Sequence, residues 1–452
     1  MSLEGRAAAR QERLAHGVEP QAERPPGTQR LRAAVAELRR RLRRSSLTQA
    51  EVCGALGRVF ERWRQDGSAL RLELAAKLAH SLGLSAALAD ASVRALMAPF
   101  GAAELERAAR QMPFQGGVLA FVMPGNLPGA GLHELCLALL AGRAAAIKCA
   151  SLEPHFFPAF ARSVAEAAPE LGARMAVFTW DRSQVELTQL LARECDGLVA
   201  LGDDATVEAL ARLRAADGDK AGALAEAPVN SALAGAGARF AGFGARVSAV
   251  VLAAQALGSG QCDALAGAVA RDVALFEQRG CLSPHQVYVE ADRQGEAARR
   301  FARKLALALA SLCQRWPAAV LDVESACAVR RARETARWRA LGGEPVELME
   351  GSGLSWTVIY DAAGRFFRSP GYRTVAVTPF YGPDDLMGRL GEMARRLEAV
   401  AVADPQGTLE ATVSRLRELG ATHLCVPGRM HSPPLLWPHG GGAMRRLLGA
   451  AP

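Results

Sequence analysis

Few residues in this chain combine a reactive side chain with a setting that would expose it. Cys281 lies in "LFEQRGCLSPHQVYVE", after Arg279-Gly280 and before Ser283-Pro284 and an alternating run that reads as a strand. Structural cysteines sit inside apolar periodic runs, as Cys136 does in "HELCLALL" and Cys313 in "ALASLCQRW". Cys281 does not. It is either a small packing residue or a nucleophile held at an opening, since thiolate chemistry needs access and positive surroundings. Asn126 stands in "VMPGNLPGAG", a Gly/Pro-rich loop between a strand and a helix. Its amide could donate to an oxyanion, or simply shape a turn. Lys148 ends the strand-like "AAAIKCAS", which continues to Ser151. A lysine there can reach a ribose or phosphate. Lysine is scarce in the chain, occurring only at 77, 148, 220 and 304. In "LVALGDDATVEAL", Gly202 permits close backbone approach, and Asp203 or Asp204 reads as the cap of the next helix. His285 could tune the thiol but reads better as structural, and Asp263 and Asp272, which flank the helix before Cys281, read as solvated.

The elements that must hold these residues alternate. From Gly116 the pattern is strand, loop, helix, strand, with further strands at "RMAVFTW" and "DGLVALG" and helices at "QVELTQLLARE" and "DATVEALARLRAA". Such alternation implies a parallel sheet with crossover helices, whose carboxyl edge is where ligands bind. A helix is expected from Asp263 to Glu277, then strands at "WTVIYD" and "YRTVAVTPF". No GxGxxG fingerprint occurs, so a dinucleotide site here is not of the common Rossmann kind. The first hundred residues read as helical scaffold. They include "TQRLRAAVAELRRRLRRSS", with a basic face, and a capping box at Thr48 and Glu51.

The chain has 452 residues, half of them hydrophobic, which allows two or three domains. The net charge of +8 owes much to the N-terminal arginines. Basic charge is not interleaved with aromatics, so nucleic-acid binding is disfavoured. The nine cysteines are irregularly spaced without a zinc pattern, so no metal is expected. No apolar run is long enough for a transmembrane segment and no secretory signal opens the chain, so a cytoplasmic location is expected.

Taken together, "GNLPGAGLHELCLALLAGRAAAIKCAS", "GFGARVS", "FEQRGCLSPHQVYVE" and "GRMHSPPLLWPHGGG" resemble the aldehyde dehydrogenase superfamily. Within it they are most similar to the LuxC-type acyl-CoA reductases, the fatty-acid reductase component of bacterial bioluminescence. The resemblance covers the chain from about residue 100 to its end. It implies an α/β, aldehyde-dehydrogenase-like fold: a helical N-terminal region over 46–115 after a flexible basic segment 1–45, a Rossmann-like NADP-binding domain over 116–255, a catalytic domain with a nucleophilic cysteine over 256–430, and a C-terminal segment 431–452 returning near the active site. It further implies that Cys281 is the nucleophile and that Asn126 and the Cys281 N–H form an oxyanion hole. Lys148 and Ser151 would face the adenosine ribose, and Gly202 with Asp203 the cofactor phosphates. Relatives often carry a ribose-binding glutamate where Ser151 stands. A neutral serine repels a 2′-phosphate less, which favours NADPH. The resemblance also implies an acyl-CoA or acyl-protein thioester as substrate, an acyl-protein synthetase as possible partner, and a homo-oligomer.

One departure bears on the reaction. Hydrolysing aldehyde dehydrogenases use a glutamate base upstream of the cysteine, yet between Glu226 and Asp263 no carboxylate occurs. Without a placed base, water attack on an acyl-Cys is not accelerated, which favours a thioester reductase. The alternatives are a short-chain CoA-acylating aldehyde dehydrogenase and a non-catalytic binding subunit of the same fold.

Overall fold

The computed structural model describes residues 27–216, 239–258, 260–291, 296–364 and 366–450. Residues 1–26 of the basic N-terminal segment lie outside the described residues. From Thr28 to Arg44 the chain is a helix, as its periodicity indicated although the segment 1–45 as a whole was expected to be flexible, and it buries Leu31, Val35 and Leu38. That spacing of four and three gives one apolar stripe, which packs on the first sheet. Arg32 and Arg39 pair with Glu194 and Asp196 beside it. The next helix, Gln49–Arg64, opens on the expected capping box of Thr48 and Glu51.

The first sheet contains β1 (Val118–Val122), β2 (Ala144–Cys149), β3 (Met175–Thr179), β4 (Gly197–Leu201) and β5 (Phe240–Phe243), in the order β3-β2-β1-β4-β5. All its pairs are parallel. β1, β2, β4 and β5 are buried throughout, and so read as apolar runs rather than alternations. Register sets Val122 beside both Lys148 and Ala200. The loops that follow β1, β2 and β4 therefore open on one edge.

The second sheet contains β6 (Val247–Leu252), β7 (Pro284–Glu290), β8 (Val346–Glu350), β9 (Thr357–Asp361), β10 (Thr374–Phe380), β11 (Leu397–Ala403) and β12 (His423–Cys425). Its order is β12-β11-β6-β7-β10-β9-β8, with only β8 antiparallel to its neighbour. β6 lies inside the span 116–255 expected for the cofactor domain, yet it pairs with β11 and β7 in this second sheet. Its partners are 30 or more residues away, and no local pattern announces them.

The largest core cluster joins the N-terminal helices, the helix Leu132–Leu140 and the C-terminal Leu435, Met444 and Leu447. The N-terminal scaffold and the chain's end thus close over one face of the first sheet.

Candidate active site

The helix before Cys281 runs from Cys262 to Ala274, three residues short of the expected end. Phe276, Glu277 and Gln278 then adopt φ of 57°, 52° and 57°. For residues with a Cβ the left-handed region costs roughly 1–2 kcal/mol each, so the surroundings must hold the turn. Phe276 N donates to Ser92 Oγ at 3.0 Å. Glu277 forms a fully buried ion pair with Arg373 at 2.6 Å and accepts Ala319 N at 3.0 Å. The Gln278 amide donates to Pro284 O and Thr374 O and accepts from Thr374 N. Ser248 Oγ donates to the carbonyl of Cys281 at 2.7 Å while accepting Ala399 N. Strain held this firmly at one short turn is the usual mark of a functional loop. It delivers a half-buried Cys281 to a small apolar pocket.

The pocket lies between the loop after β1, the thiol turn and the C-terminal strap. Leu96, Leu127, Leu201, Phe276, Pro433 and Trp437 give it apolar walls; Glu134, Cys281, His431 and His439 bring polar groups. Gly131, at φ 94°, lets the helix Leu132–Leu140 begin hard against Met123, whose sulfur would lie 2.6 Å from an added Cβ. That approach places Glu134 in the first turn of an otherwise apolar helix. Its carboxylate meets His439 Nδ1 at 2.6 Å. The His439 ring stacks between Phe243 and Trp437, both at 4.3 Å between centroids, and lines the same pocket as the Cys281 thiol. Burial works against charge on this ring. Glu398, the thiol and Glu134 outweigh it and hold the imidazole well above its usual range. Burial likewise works against Glu134, yet His439 and His133 keep its carboxyl below the usual range.

Sequence reasoning missed Ser248, His439 and Glu134. Glu134 did leave a signal, as a lone carboxylate in "LHELCLALL". His439 left only its place in the motif "PHGGG".

Asp272, read from sequence as solvated, is 0% exposed. Its carboxylate accepts Gly428 N at 2.5 Å and Met430 N at 3.3 Å, and its carbonyl accepts His431 Nε2 at 2.8 Å. The helix turns this face toward the C-terminal strap, not toward water. Burial pushes the Asp272 carboxyl up to about 7 against those two N–H donors. Asp263 is exposed and pairs with Lys304. His285 is structural, as its sequence context indicated. Its Nδ1 accepts Ser369 N at 2.9 Å, and burial takes the ring down to about 4.

Asn126 is exposed on the loop after β1, and its Nδ2 donates to Arg279 O at 3.0 Å. This ties the loop to the thiol turn and leaves its second N–H open. Among the described residues, the N–H of Cys281 has no acceptor. Lys148, Ser151, Gly202 and Asp203 stand along the carboxyl edge of the first sheet, and none of them lines the thiol pocket. Lys148 is 7% exposed, and its ammonium hydrogen-bonds no other described residue; burial lowers its proton affinity. Ser151 Oγ donates to Trp180 O at 3.4 Å. Glu153 turns inward and accepts His155 N and Phe156 N, capping the helix Phe156–Ala167, with burial raising its carboxyl to about 7. Around Gly202 an added Cβ would meet only the Thr206 side chain, at 3.6 Å. Asp203 caps the helix Asp204–Ala216 through Thr206 N at 2.7 Å. Asp204 reaches Ala245 N and Arg396, joining the first sheet to the second. Leu201 lines the thiol pocket, so this edge and the pocket are continuous.

Residues 71–449 match the family described as acyl-CoA reductase (LuxC). The chain belongs to the LuxC acyl-CoA reductase family. No curated protein matches it. Among solved structures, an indole-3-acetaldehyde dehydrogenase in complex with NAD+ is 17% identical, with 88% of this chain and 80% of that one covered and a TM-score of 0.64. A lactaldehyde dehydrogenase is 15% identical, over 89% and 84%, with a TM-score of 0.63. A γ-glutamyl-γ-aminobutyraldehyde dehydrogenase from Burkholderia cenocepacia J2315 is 19% identical, over 89% and 81%, with a TM-score of 0.63. At such identities the likeness establishes the aldehyde-dehydrogenase fold of this LuxC-family chain and nothing finer. No helix among the described residues is long and apolar enough to cross a membrane.

Proposed function

We propose that this LuxC-family chain reduces an acyl thioester, acyl-CoA or an acyl group handed over by a partner synthetase, to the aldehyde through an acyl-Cys281 intermediate, with NADPH as reductant. The observation that carries this reading is Cys281 itself: a half-buried thiol presented by a strained, over-braced turn into a pocket with apolar walls. The thiolate of Cys281 attacks the thioester carbonyl. The second N–H of Asn126 and the N–H of Cys281 stabilise the resulting oxyanion, a contribution of about 3 kcal/mol per donor in comparable sites. The departing thiol leaves acyl-Cys281.

The carboxyl edge of the first sheet fits a dinucleotide. Lys148 is a buried cation that hydrogen-bonds no described residue, and Gly202 leaves room for close approach. Lys148 and Ser151 would hold the ribose; Gly202 and the helix start capped by Asp203 would take the phosphates. When bound, NADPH supplies the hydride for the acyl carbon. Ser151 is neutral and the nearby Glu153 is turned into a helix cap, so neither opposes a 2′-phosphate. The exposed Arg182 lies close enough to act on Asp203 and adds positive charge at this edge.

The acyl group would lie along Leu96, Leu127 and Phe276. The pocket's volume is ≈ 100 Å³, below the about 300–1,000 Å³ of a typical ligand pocket. That observation favours the short-chain alternative for this conformation; a long chain requires these side chains to part. Incubating the protein with acetyl-CoA or tetradecanoyl-CoA and either NADPH or NADH, and trapping the aldehyde, tests both points. Aldehyde made by the wild type and lost in Cys281→Ala is the expected result. No acyl-enzyme in intact-mass spectra with either donor would sink the reading and leave the non-catalytic alternative.

A further inference from the structure

The residues assigned to the chemistry so far leave one need unmet. An alkyl thiolate, such as that of CoA, leaves more slowly than one of lower pKa, so a proton delivered as it departs would speed the step. Asn126 and a backbone N–H do not hold a transferable proton. Among the titratable groups that line the pocket, His439 is the one held above its usual range. His439 lines the same small pocket as the Cys281 sulfur, and its Nδ1 is fixed on Glu134 at 2.6 Å. Phe243 and Trp437 clamp the ring on both faces, and Trp437 is itself anchored through its Nε1 to Thr422 Oγ1 at 2.8 Å. The charged groups around the ring are Glu134 on the helix Leu132–Leu140 and Glu398 on β11, itself paired with Arg246 at 3.4 Å, with His133 on the Glu134 helix as a further titratable neighbour. Glu134, bonded directly to Nδ1, favours the protonated ring.

We propose that His439 is a catalytic acid, oriented by Glu134, that protonates the departing thiolate as Cys281 takes the acyl group; the inference rests on the thioester reading above. The departing sulfur is bonded to the same carbon as the Cys281 sulfur, so a proton held at one is within reach of the other. The carbon–sulfur bond to Cys281 forms, the bond to the donor sulfur breaks, and the His439 proton passes to that sulfur. The ring is left neutral. With hydride supplied by a bound nicotinamide, the resulting oxyanion would re-form its C=O bond and expel the Cys281 thiolate. His439 regains one proton from solvent, so each turnover consumes one proton. Glu134 touches no substrate atom and is a positioning residue.

This role also bears on hydrolysis. Kept protonated, His439 is a poor base for activating water, so its presence beside acyl-Cys281 does not replace the missing glutamate base.

The test compares release of thiol from an alkyl thioester, butanoyl-CoA, with that from an aryl thioester of the same acyl group, whose thiolate leaves without help. His439→Gln is expected to lose about 10²-fold or more on the alkyl donor, the usual range for general acid catalysis, and much less on the aryl donor. In Glu134→Gln the acid form of the ring is less favoured, so the fall in alkyl-donor rate with rising pH should begin at lower pH than in the wild type, nearer the ordinary histidine value of about 6.5. Equal losses on both donors, or an unmoved pH limb in Glu134→Gln, would overturn the proposal; a matching melting temperature excludes misfolding as the cause. Aldehyde is assayed separately. Wild type that takes the acyl group with the expected donor dependence but makes no aldehyde refutes the reductase reading and leaves the acid. Wild type acylated by neither donor refutes both.

Discussion

At the residue scale, three side chains divide the proposed work. Cys281 is delivered by the backbone, Asn126 is tied to Arg279 O and keeps one donor free, and Lys148 waits at the far edge. Asn126→Ala should lower kcat by roughly 10²–10³-fold, with a smaller change in KM, because an oxyanion donor acts mainly in the transition state; steady-state kinetics on the preferred thioester checks it. Ser151→Glu should reverse the cofactor preference. A carboxylate there would repel the 2′-phosphate of NADPH and accept from the ribose hydroxyls of NADH. The ratio of kcat/KM for the two cofactors measures it, and an unchanged ratio would remove Ser151 from the site.

At the element scale, the thiol turn is the part most exposed to damage from outside the pocket. Arg373 and Glu277 are 0% and 1% exposed in their side chains and pair at 2.6 Å. Removing one partner leaves a buried charge, a loss of about 3–5 kcal/mol. Arg373→Met should therefore lower the unfolding free energy by that order and slow acyl transfer. Glu277→Leu combined with Arg373→Met should recover much of the stability, since an apolar pair leaves no orphan charge. Denaturant unfolding of the two variants decides it. Recovery of stability without recovery of acyl transfer would show that the pair also serves to aim Cys281. The left-handed run Phe276–Gln278 was not legible beforehand. Local preference extends the helix to Glu277, and the hydrogen bonds accepted by Ser92, Thr374 and Pro284, with the Glu277–Arg373 pair, all distant in sequence or on another element, reverse it.

At the scale of the whole molecule, the C-terminal strap and the catalytic sheet meet through Asp272. Its folded carboxyl sits at about 7 against an ordinary 3.8. A group raised in this way contributes stability that is fully present below about pH 4 and is lost as pH rises through about 7. Glu153, also at about 7, acts in the same direction. Thermal unfolding between pH 5 and 8 should therefore show a stability decline that is shallower in Asp272→Asn than in the wild type. Because the asparagine side chain offers only one oxygen to Gly428 N and Met430 N, its melting temperature should also be lower at pH 5. Identical pH slopes would show that Asp272 does not titrate in this range.

The sequence by itself determined what depends on neighbours along the chain. The alternation of helix and strand, the capping box at Thr48, the loops that end on Asn126 and Ser151, and the odd setting of Cys281 all follow from period, turn chemistry and composition. These are local preferences, and they hold wherever the piece is packed. The tertiary structure decided what depends on residues far apart meeting in one space. It drew β6 into the second sheet, turned Asp272 from solvent to the strap, and brought Glu134 and His439, 305 positions apart, against Cys281. A carboxylate in an apolar helix and a histidine before three glycines carry no shared pattern. Their pairing exists because burial leaves each polar group only the partners that the fold supplies.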